Sequence, residues 1–362
     1  MKRLKVSFFP VARTAHLERL ANSSADALYY CSTRADWHPA ATPSGKLVQL
    51  KSVFGVAREV FSGRLSVLEV AEPLAIPLLP RLLVLAAAKR LAPRSRRPLV
   101  VTYAIENVSQ ISKLSTRSRL PECVSRTVLR ATWSMVFGSI DRIAFGTAGS
   151  SDMYRVELGP RLWARVSART EIRTIEGLPQ PLCSAPKKDR GRVIFLGSFE
   201  ERKGLQDLLR AWPAVAAQAG TELVIVGKGS RAQEAFVRTW AEHRRGVTVR
   251  FDPPRSDIRA ELEAASVLVL ASRRTATWRE QIGLPILEGL SYGCTIVSSD
   301  ETGIAQWLSA HGHRVVGSRY SPSELALAIV SAVTNPLPPM DVLESLPKAD
   351  QRTAADSWLL RS

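Results

Sequence analysis

The chain has 362 residues, 45% of them hydrophobic and 23% charged, which is the composition of a globular protein of about two domains. No apolar run is long enough to span a bilayer; the best candidate, 74–88, is interrupted by Pro77, Pro80 and Arg81. Fifty Lys and Arg against 33 Asp and Glu leave a net charge of +17, which attracts nucleic acid, anionic lipid or anionic small molecules without choosing among them.

In chain order, the basic start Met1-Lys2-Arg3-Leu4-Lys5 leads into a strand rather than a long apolar segment, so a cytoplasmic protein without a signal peptide is expected. In the first half, strands are predicted over 5–9, 28–31, 67–70, 99–103 and 141–146. Helices are predicted around 12–22, 51–61, 75–91 and 120–137. Pro179, Pro181 and Pro186, followed by Lys187-Lys188-Asp189-Arg190, mark a linker and a domain boundary near 185. The second half has the clearer pattern. Apolar strands are predicted over 192–197, 222–227, 247–251, 267–271 and 295–299. Between them, Leu205, Leu208, Leu209, Trp212 and Val215 recur at helical spacing, and further helices are predicted over 231–244, 257–265, 285–292 and 324–333. Strict alternation of apolar strands and helices predicts an α/β fold with a parallel sheet covered on both faces. Ligands bind such sheets at the carboxyl ends of the strands. The expected domains are 1–185 and 186–340, with a tail over 341–362 packing back on the first.

Cys31, Cys123, Cys183 and Cys294 are widely scattered, which predicts buried, inert thiols and no disulfide framework. The five histidines make no metal-ligand spacing with neighbouring carboxylates.

The most informative stretch runs from Arg279 to Leu290. Glu280 and Glu288 flank a Gly283-Leu284-Pro285 turn. Pro285 suits the first position of a short helix, and Gly293 the position past its end. The amides ahead of Pro285 would then point at an anion. Carboxylates on both sides of such a turn suit a ligand with a central diphosphate and hydroxyls at each end, as in a nucleotide-sugar. Lys203-Gly204 precedes a helix and offers a cation for phosphate. Gly227-Lys228-Gly229 falls short of a dinucleotide fingerprint; a plain strand-to-helix turn stays equally open there. No full fingerprint with an acidic partner supports a nicotinamide-dependent oxidoreductase. Asp300 and Glu301 are read only as starting the segment after the last of these strands.

In these features the second half resembles the retaining glycosyltransferases of family 4, which have the GT-B fold: two Rossmann-like α/β domains facing each other across a cleft. The matches span 192–310. They are the pair Glu280 and Glu288, the loop Gly197-Ser198-Phe199-Glu200-Glu201-Arg202-Lys203-Gly204, the Val226-Gly227-Lys228-Gly229 loop, and Gly293 with Asp300-Glu301-Thr302-Gly303. The resemblance implies that Lys203 neutralises a donor diphosphate, Glu288 accepts ribose hydroxyls and Glu280 holds hydroxyls of the transferred sugar. Gln281, Ile282, Gly283 and Leu284 would complete the cradle with backbone groups, and Gly197, Ser198, Gly227 and Lys228 would line the donor. The segment 250–253 would flank the base. Three departures stand out. Ser198 replaces an arginine usual in the family, so Arg202 is the expected substitute. Pro10-Val11-Ala12-Arg13 stands where the family has a glycine-rich loop. Val101-Thr102 leads to Glu106 and Asn107 where many relatives carry a histidine, which makes these the acceptor-side candidates. The implied catalytic set is Glu280, Lys203 and Glu106, with the nucleotide-sugar as co-substrate and no essential metal.

Two basic regions, 89–97 and 113–130, lie in the half expected to receive a hydroxyl acceptor. A solvated face is one reading; docking on an anionic membrane, with a peripheral location on its inner face, is the other. A nucleotide-sugar epimerase and a non-enzymatic basic adaptor for nucleic acid or membrane stay open as alternatives, although nucleic acid is not the expected partner.

Overall fold

Runs such as Arg192–Leu196 and Ala265–Leu270 have no polar alternation, and a strand of that kind is stable only when both faces are covered. The computed structural model, which describes residues 3–34, 37–184, 187–218, 220–276 and 278–361, places these strands at the centre of a sheet with helices on either side. The chain divides into two units, Met1–Glu176 with Gln351–Ser362 and Gly177–Asp350. The division thus falls at 176/177 rather than near 185, and Pro179 and Pro181 belong to the second unit. Pro186 lies outside the described residues.

Unit 1 runs β1 (Leu4–Phe8), β2 (Val11–Ala12), α1 (Thr14–Asn22), β3 (Ala27–Tyr30), β4 (Ser32–Thr33), β5 (Leu47–Leu50), α2 (Val53–Ser62), β6 (Leu65–Val70), α3 (Leu79–Leu91), β7 (Leu99–Ala104), α4 (Gln110–Ser118), α5 (Glu122–Phe137), β8 (Arg142–Phe145), α6 (Ala148–Ser167) and β9 (Glu171–Thr174). Seven of these strands pair in parallel in the order β5-β3-β1-β6-β7-β8-β9, while β2 and β4 form a separate pair. The strands β5 and β9 and the helices α4 and α6 escape a pattern-based reading. Both strands are mostly exposed edge strands with little apolar signal, and α6 is interrupted at Gly159-Pro160.

Unit 2 runs β10 (Asp189–Leu196), α7 (Leu205–Ala216), β11 (Glu222–Gly227), α8 (Arg231–Glu242), β12 (Val247–Phe251), α9 (Arg255–Ala264), β13 (Ala265–Leu270), α10 (Leu284–Ser291), β14 (Thr295–Ser299), α11 (Ala305–Ala310), β15 (Arg314–Val316), α12 (Pro322–Thr334) and α13 (Pro339–Glu344). Its six strands are parallel, ordered β12-β11-β10-β13-β14-β15. The register sets Leu196 opposite Val226 and Ile194 opposite Leu268. Leu205, Leu208, Leu209, Trp212 and Val215 form the buried stripe of α7 against this sheet. The helices α8 and α12 begin with reciprocal capping boxes, Ser230 with Gln233 and Ser321 with Glu324.

The last residues do not behave as one tail. Through α13 the chain stays with unit 2, whereas α14 (Gln351–Leu359) belongs to unit 1. There Ala355, Trp358 and Leu359 pack with Leu17, Leu28 and Val101. Arg19 spans Glu69 on β6 and Asp356 on α14, at 2.5 Å from each. The cysteines are free, and only Cys294 is buried; Cys31 and Cys183 are half-buried and Cys123 is exposed. Scattered spacing excludes a disulfide framework but says nothing about depth.

Candidate functional site

At the carboxyl ends of β10, β11, β12 and β13 four loops are tied to one another by backbone hydrogen bonds. The Phe199 amide donates to Lys228 O (2.9 Å), the Asp252 amide to Gly227 O (2.9 Å), and the Arg273 amide to Arg202 O (2.8 Å). Gly227 is where the first two loops touch, since a Cβ there would stand 1.8 Å from Gly197 O. The segment leading into α10 is latched in turn to the loop after β14. The Gly303 amide donates to Gln281 O (2.9 Å) and Thr302 Oγ1 to Ile282 O (2.6 Å). Arg279 pairs with Glu301 at 2.7 Å. Glu301 is therefore a buried latch and not merely the start of a segment.

Within this edge Lys203 and Glu280, 77 positions apart, meet: Lys203 Nζ donates to Glu280 Oε2 at 2.6 Å. Ser272 Oγ donates to the same oxygen at 2.8 Å. Glu280 is buried and Lys203 keeps 15% of its side chain exposed, so the pair sits in a low-dielectric wall of the loop cluster. Removing either partner would take the counter-charge from a buried group. Trp278 covers the pair from the side. Its ring lies 4.1 Å from the Arg202 guanidinium and 5.1 Å from the Lys203 ammonium. Arg202 is also held by Glu200 at 2.6 Å, and Ser198 Oγ donates to Glu200 at 3.2 Å. Ser198 and Arg202 thus converge on one carboxylate, which leaves the Arg202 charge locally balanced.

The short helix α10 starts at Leu284, one residue earlier than its proline suggests, because Gly283 with φ 86° forms the cap and Pro285 takes the second position. Among the described residues the Gly283 and Leu284 amides have no backbone partner. Glu288 lies one turn further on, paired with Arg255 at 2.9 Å. Lys228 pairs with Asp252 at 3.2 Å, both largely exposed. Sequence reasoning found Gly197, Lys203, Gly227, Glu280 and Glu288 but missed Ser272, Trp278 and Arg255. Ser272 carried a usable signal as a polar residue just past the end of β13. The other two pair only through the fold.

Glu106 belongs to unit 1, just beyond β7. Its carboxylate accepts from the Val108 amide at 3.1 Å and lies 3.8 Å from Lys113. Beside it, half-buried Glu72 accepts from the Ile105 amide at 3.0 Å and from Tyr154 Oη. Burial, with Glu106 nearby, pushes the Glu72 carboxyl up to about 7. Among the described residues no group of three or more His, Cys, Asp or Glu side chains is placed to hold a metal ion.

Loops converging on the carboxyl edge of a parallel sheet are a general ligand geometry, and comparison with known proteins narrows it. Residues 190–335 match the family Glycosyl transferases group 1. No curated protein sequence matches the chain. Among solved structures, WaaG, a glycosyltransferase involved in lipopolysaccharide biosynthesis, superposes with a TM-score of 0.62 at 16% identity, covering 97% of this chain and 99% of that one. Anabaena HepE in complex with UDP gives 0.62 at 12% identity, covering 99% and 96%. The α,α-trehalose-phosphate synthase (UDP-forming) of Burkholderia xenovorans gives 0.61 at 13%, covering 99% and 100%. These likenesses establish the GT-B-type α/β fold of two Rossmann-like units. No helix among the described residues is long and apolar enough to cross a membrane.

Proposed function

We propose that unit 2 binds a nucleoside-diphosphate sugar and that the protein transfers the glycosyl group, with retention at the anomeric carbon, to a hydroxyl acceptor. The observation that carries this reading is the Lys203–Glu280 pair, walled by Trp278 in the segment that leads into α10, whose glycine cap brings no side-chain hydrogen bond. The ammonium and the Gly283 and Leu284 amides would take the diphosphate and stabilise it as charge builds on the leaving group. Glu280, freed from Lys203 by the incoming phosphate, would receive sugar hydroxyls. Glu288 would accept ribose hydroxyls, with Arg255 beside it. The 250–253 segment, bonded to the Gly227 loop, would form the wall of the base. Of the neighbours, HepE has been solved with UDP-glucose, which supports a uridine nucleotide as the first donor to try. Family 4 membership and retention rest on the motif order alone, and Glu106 is the acceptor-side candidate.

A thermal-shift panel of UDP-, GDP-, ADP- and dTDP-linked sugars tests the binding half, because a ligand selective for the native state raises the melting temperature. One nucleotide-sugar is expected to stabilise the protein, and Lys203→Ala to abolish that shift. With the matching acceptor, folded Lys203→Ala is expected to turn over on the order of 10²–10³ times more slowly. Wild-type turnover in that variant would refute the phosphate assignment. Isomerised sugar with no nucleotide release would point to an epimerase.

A further inference from the structure

At the end of β13 three consecutive carbonyls each accept from a side-chain hydroxyl. Ser298 Oγ donates to Leu270 O (2.9 Å), Tyr320 Oη to Ala271 O (2.6 Å) and Ser299 Oγ to Ser272 O. The next residue, Arg273, is the one whose amide donates to Arg202 O. Leu270, Ala271 and Ser272 are buried, and a buried carbonyl without a donor is costly, so these contacts fix one path for residues 270–273. That path sets two parts of the site. Ser272 Oγ is aimed at Glu280 Oε2, and Ala271 O abuts the turn that carries Lys203. Gly204, with φ 77°, closes that turn, and a Cβ on it would stand 2.1 Å from Ala271 O and 3.2 Å from Tyr320 Oη. Tyr320 is thus the third body where the Lys203 turn meets the β13 loop.

Tyr320 stands just before α12 and is buried. A charged pair outside the donor contacts holds it in place. Asp207, in the first turn of α7 and 6% exposed, accepts from Arg273 Nε at 2.5 Å. Arg273 Nη2 donates to Tyr320 O (3.0 Å), and the guanidinium lies 4.2 Å from the Tyr320 ring centroid. The Tyr320 hydroxyl also lies 3.2 Å from Asp207 Oδ2. Its single proton goes to the nearer Ala271 carbonyl, which leaves Arg273 as the main counter-charge of Asp207. Arg210 adds a looser contact to Asp207 at 3.5 Å from a mostly exposed side chain. Burial, with Asp207 nearby, pushes the Tyr320 hydroxyl up, so it stays a donor at any working pH. A brace serving stability alone could lie anywhere along α7. This one ends on the two loops that supply Lys203 and Ser272.

We propose that Tyr320, Asp207 and Arg273 are positioning residues of the donor site: they hold the β13 loop against the Lys203 turn and so fix where the ammonium and the Ser272 hydroxyl stand against a diphosphate. This role rests on the donor reading of unit 2, so one readout is taken without nucleotide. In the ligand-free protein, amide exchange over 271–275, followed by mass spectrometry, is expected to be about tenfold faster in Tyr320→Phe than in wild type, since the Ala271 carbonyl loses its donor while the ring stays. With the nucleotide-sugar that stabilises wild type and the matching acceptor, Tyr320→Phe should lower kcat roughly tenfold and leave the acceptor KM unchanged, because a displaced ammonium fails chiefly as charge builds on the leaving group. Asp207→Asn, which keeps an oxygen for Arg273, should lower kcat less than Asp207→Ala. Ile329→Val, on the buried face of α12, is the control: it lowers the melting temperature through the core and should leave kcat as in wild type. All assays run well below melting, where every variant is folded. Equal kcat in Tyr320→Phe and Ile329→Val would make the triad a matter of stability alone and overturn the proposal, as would unchanged exchange over 271–275. If no nucleotide-sugar stabilises wild type, the donor reading falls, and the exchange rates alone then decide whether the triad holds the loop.

Discussion

Lys203 and Glu280 do two jobs, and the jobs conflict. Each neutralises the other, so Lys203→Ala takes the Lys203 ammonium from a buried carboxylate that Ser272 also bonds. Breaking a buried pair in this way costs up to about 3–5 kcal/mol. Lys203→Ala with Glu280→Gln is expected to recover most of that stability in urea melts while leaving donor binding lost. Recovery of donor binding in the double variant would mean that the ammonium serves only the carboxylate. Glu72 presents a different balance. Its carboxyl is raised to about 7 from an unfolded value near 4.5, so the folded state binds the proton more tightly than the unfolded one. Its favourable contribution is therefore complete below about pH 4.5 and is lost as pH rises through 7. Glu72→Gln, always neutral, escapes this loss. The stability of the variant relative to wild type should rise on the order of 2 kcal/mol between pH 5 and pH 8. Parallel stability curves for the two proteins would contradict the assignment.

At the scale of elements, the site depends on how closely β10 and β11 hand over to their loops. Gly227→Ala places a methyl where Gly197 O stands, so the Phe199–Lys228 and Gly227–Asp252 backbone bonds cannot all persist. A loss of about 1–3 kcal/mol from overpacking is expected, with donor affinity falling at least as far because the base wall moves with the loop. Calorimetric binding of the nucleotide-sugar that stabilises wild type checks this; unchanged affinity would show that the Gly227 loop does not touch the donor. The same scale explains the shift in α10. A proline marks the first turn of a helix, but only the backbone of Gly283 decides which residue of that turn it occupies.

For the whole molecule, α14 is the element whose removal is most telling. Ending the chain after Asp350 strips Trp358 and Leu359 from the core that holds Leu17 and Val101. It also takes Asp356 from Arg19. Unit 1 should lose on the order of 5 kcal/mol or more from cavity and stranded-charge effects, while unit 2 keeps its own core. Calorimetry is expected to show one transition moved sharply down and the other unmoved. A common shift of both would mean that the units unfold as one.

The alternation of strands and helices, the buried strands of unit 2 and the candidates Lys203, Glu280 and Glu288 are legible in the amino-acid order alone, because those features are local. Continuous apolar runs have one solution, and a Gly-x-Pro turn or a Lys-Gly pair shows in a few consecutive letters. Weakly patterned edge strands such as β5 and the broken helix α6 were not legible, since exposure and a mid-helix Gly-Pro erase the period. Folding in three dimensions settles that Lys203 pairs with Glu280, that Trp278 and Ser272 join them, that Glu288 faces Arg255, and that α14 returns to the first unit. It also shows that both basic regions are partly spent on the fold, Lys89 on Asp141 and Arg130 on the carbonyls of Glu157 and Val156. These are relations between residues up to hundreds of positions apart, and no periodicity carries them. They follow from how the strands are ordered within each sheet and where the loops and helices return, which no local pattern carries.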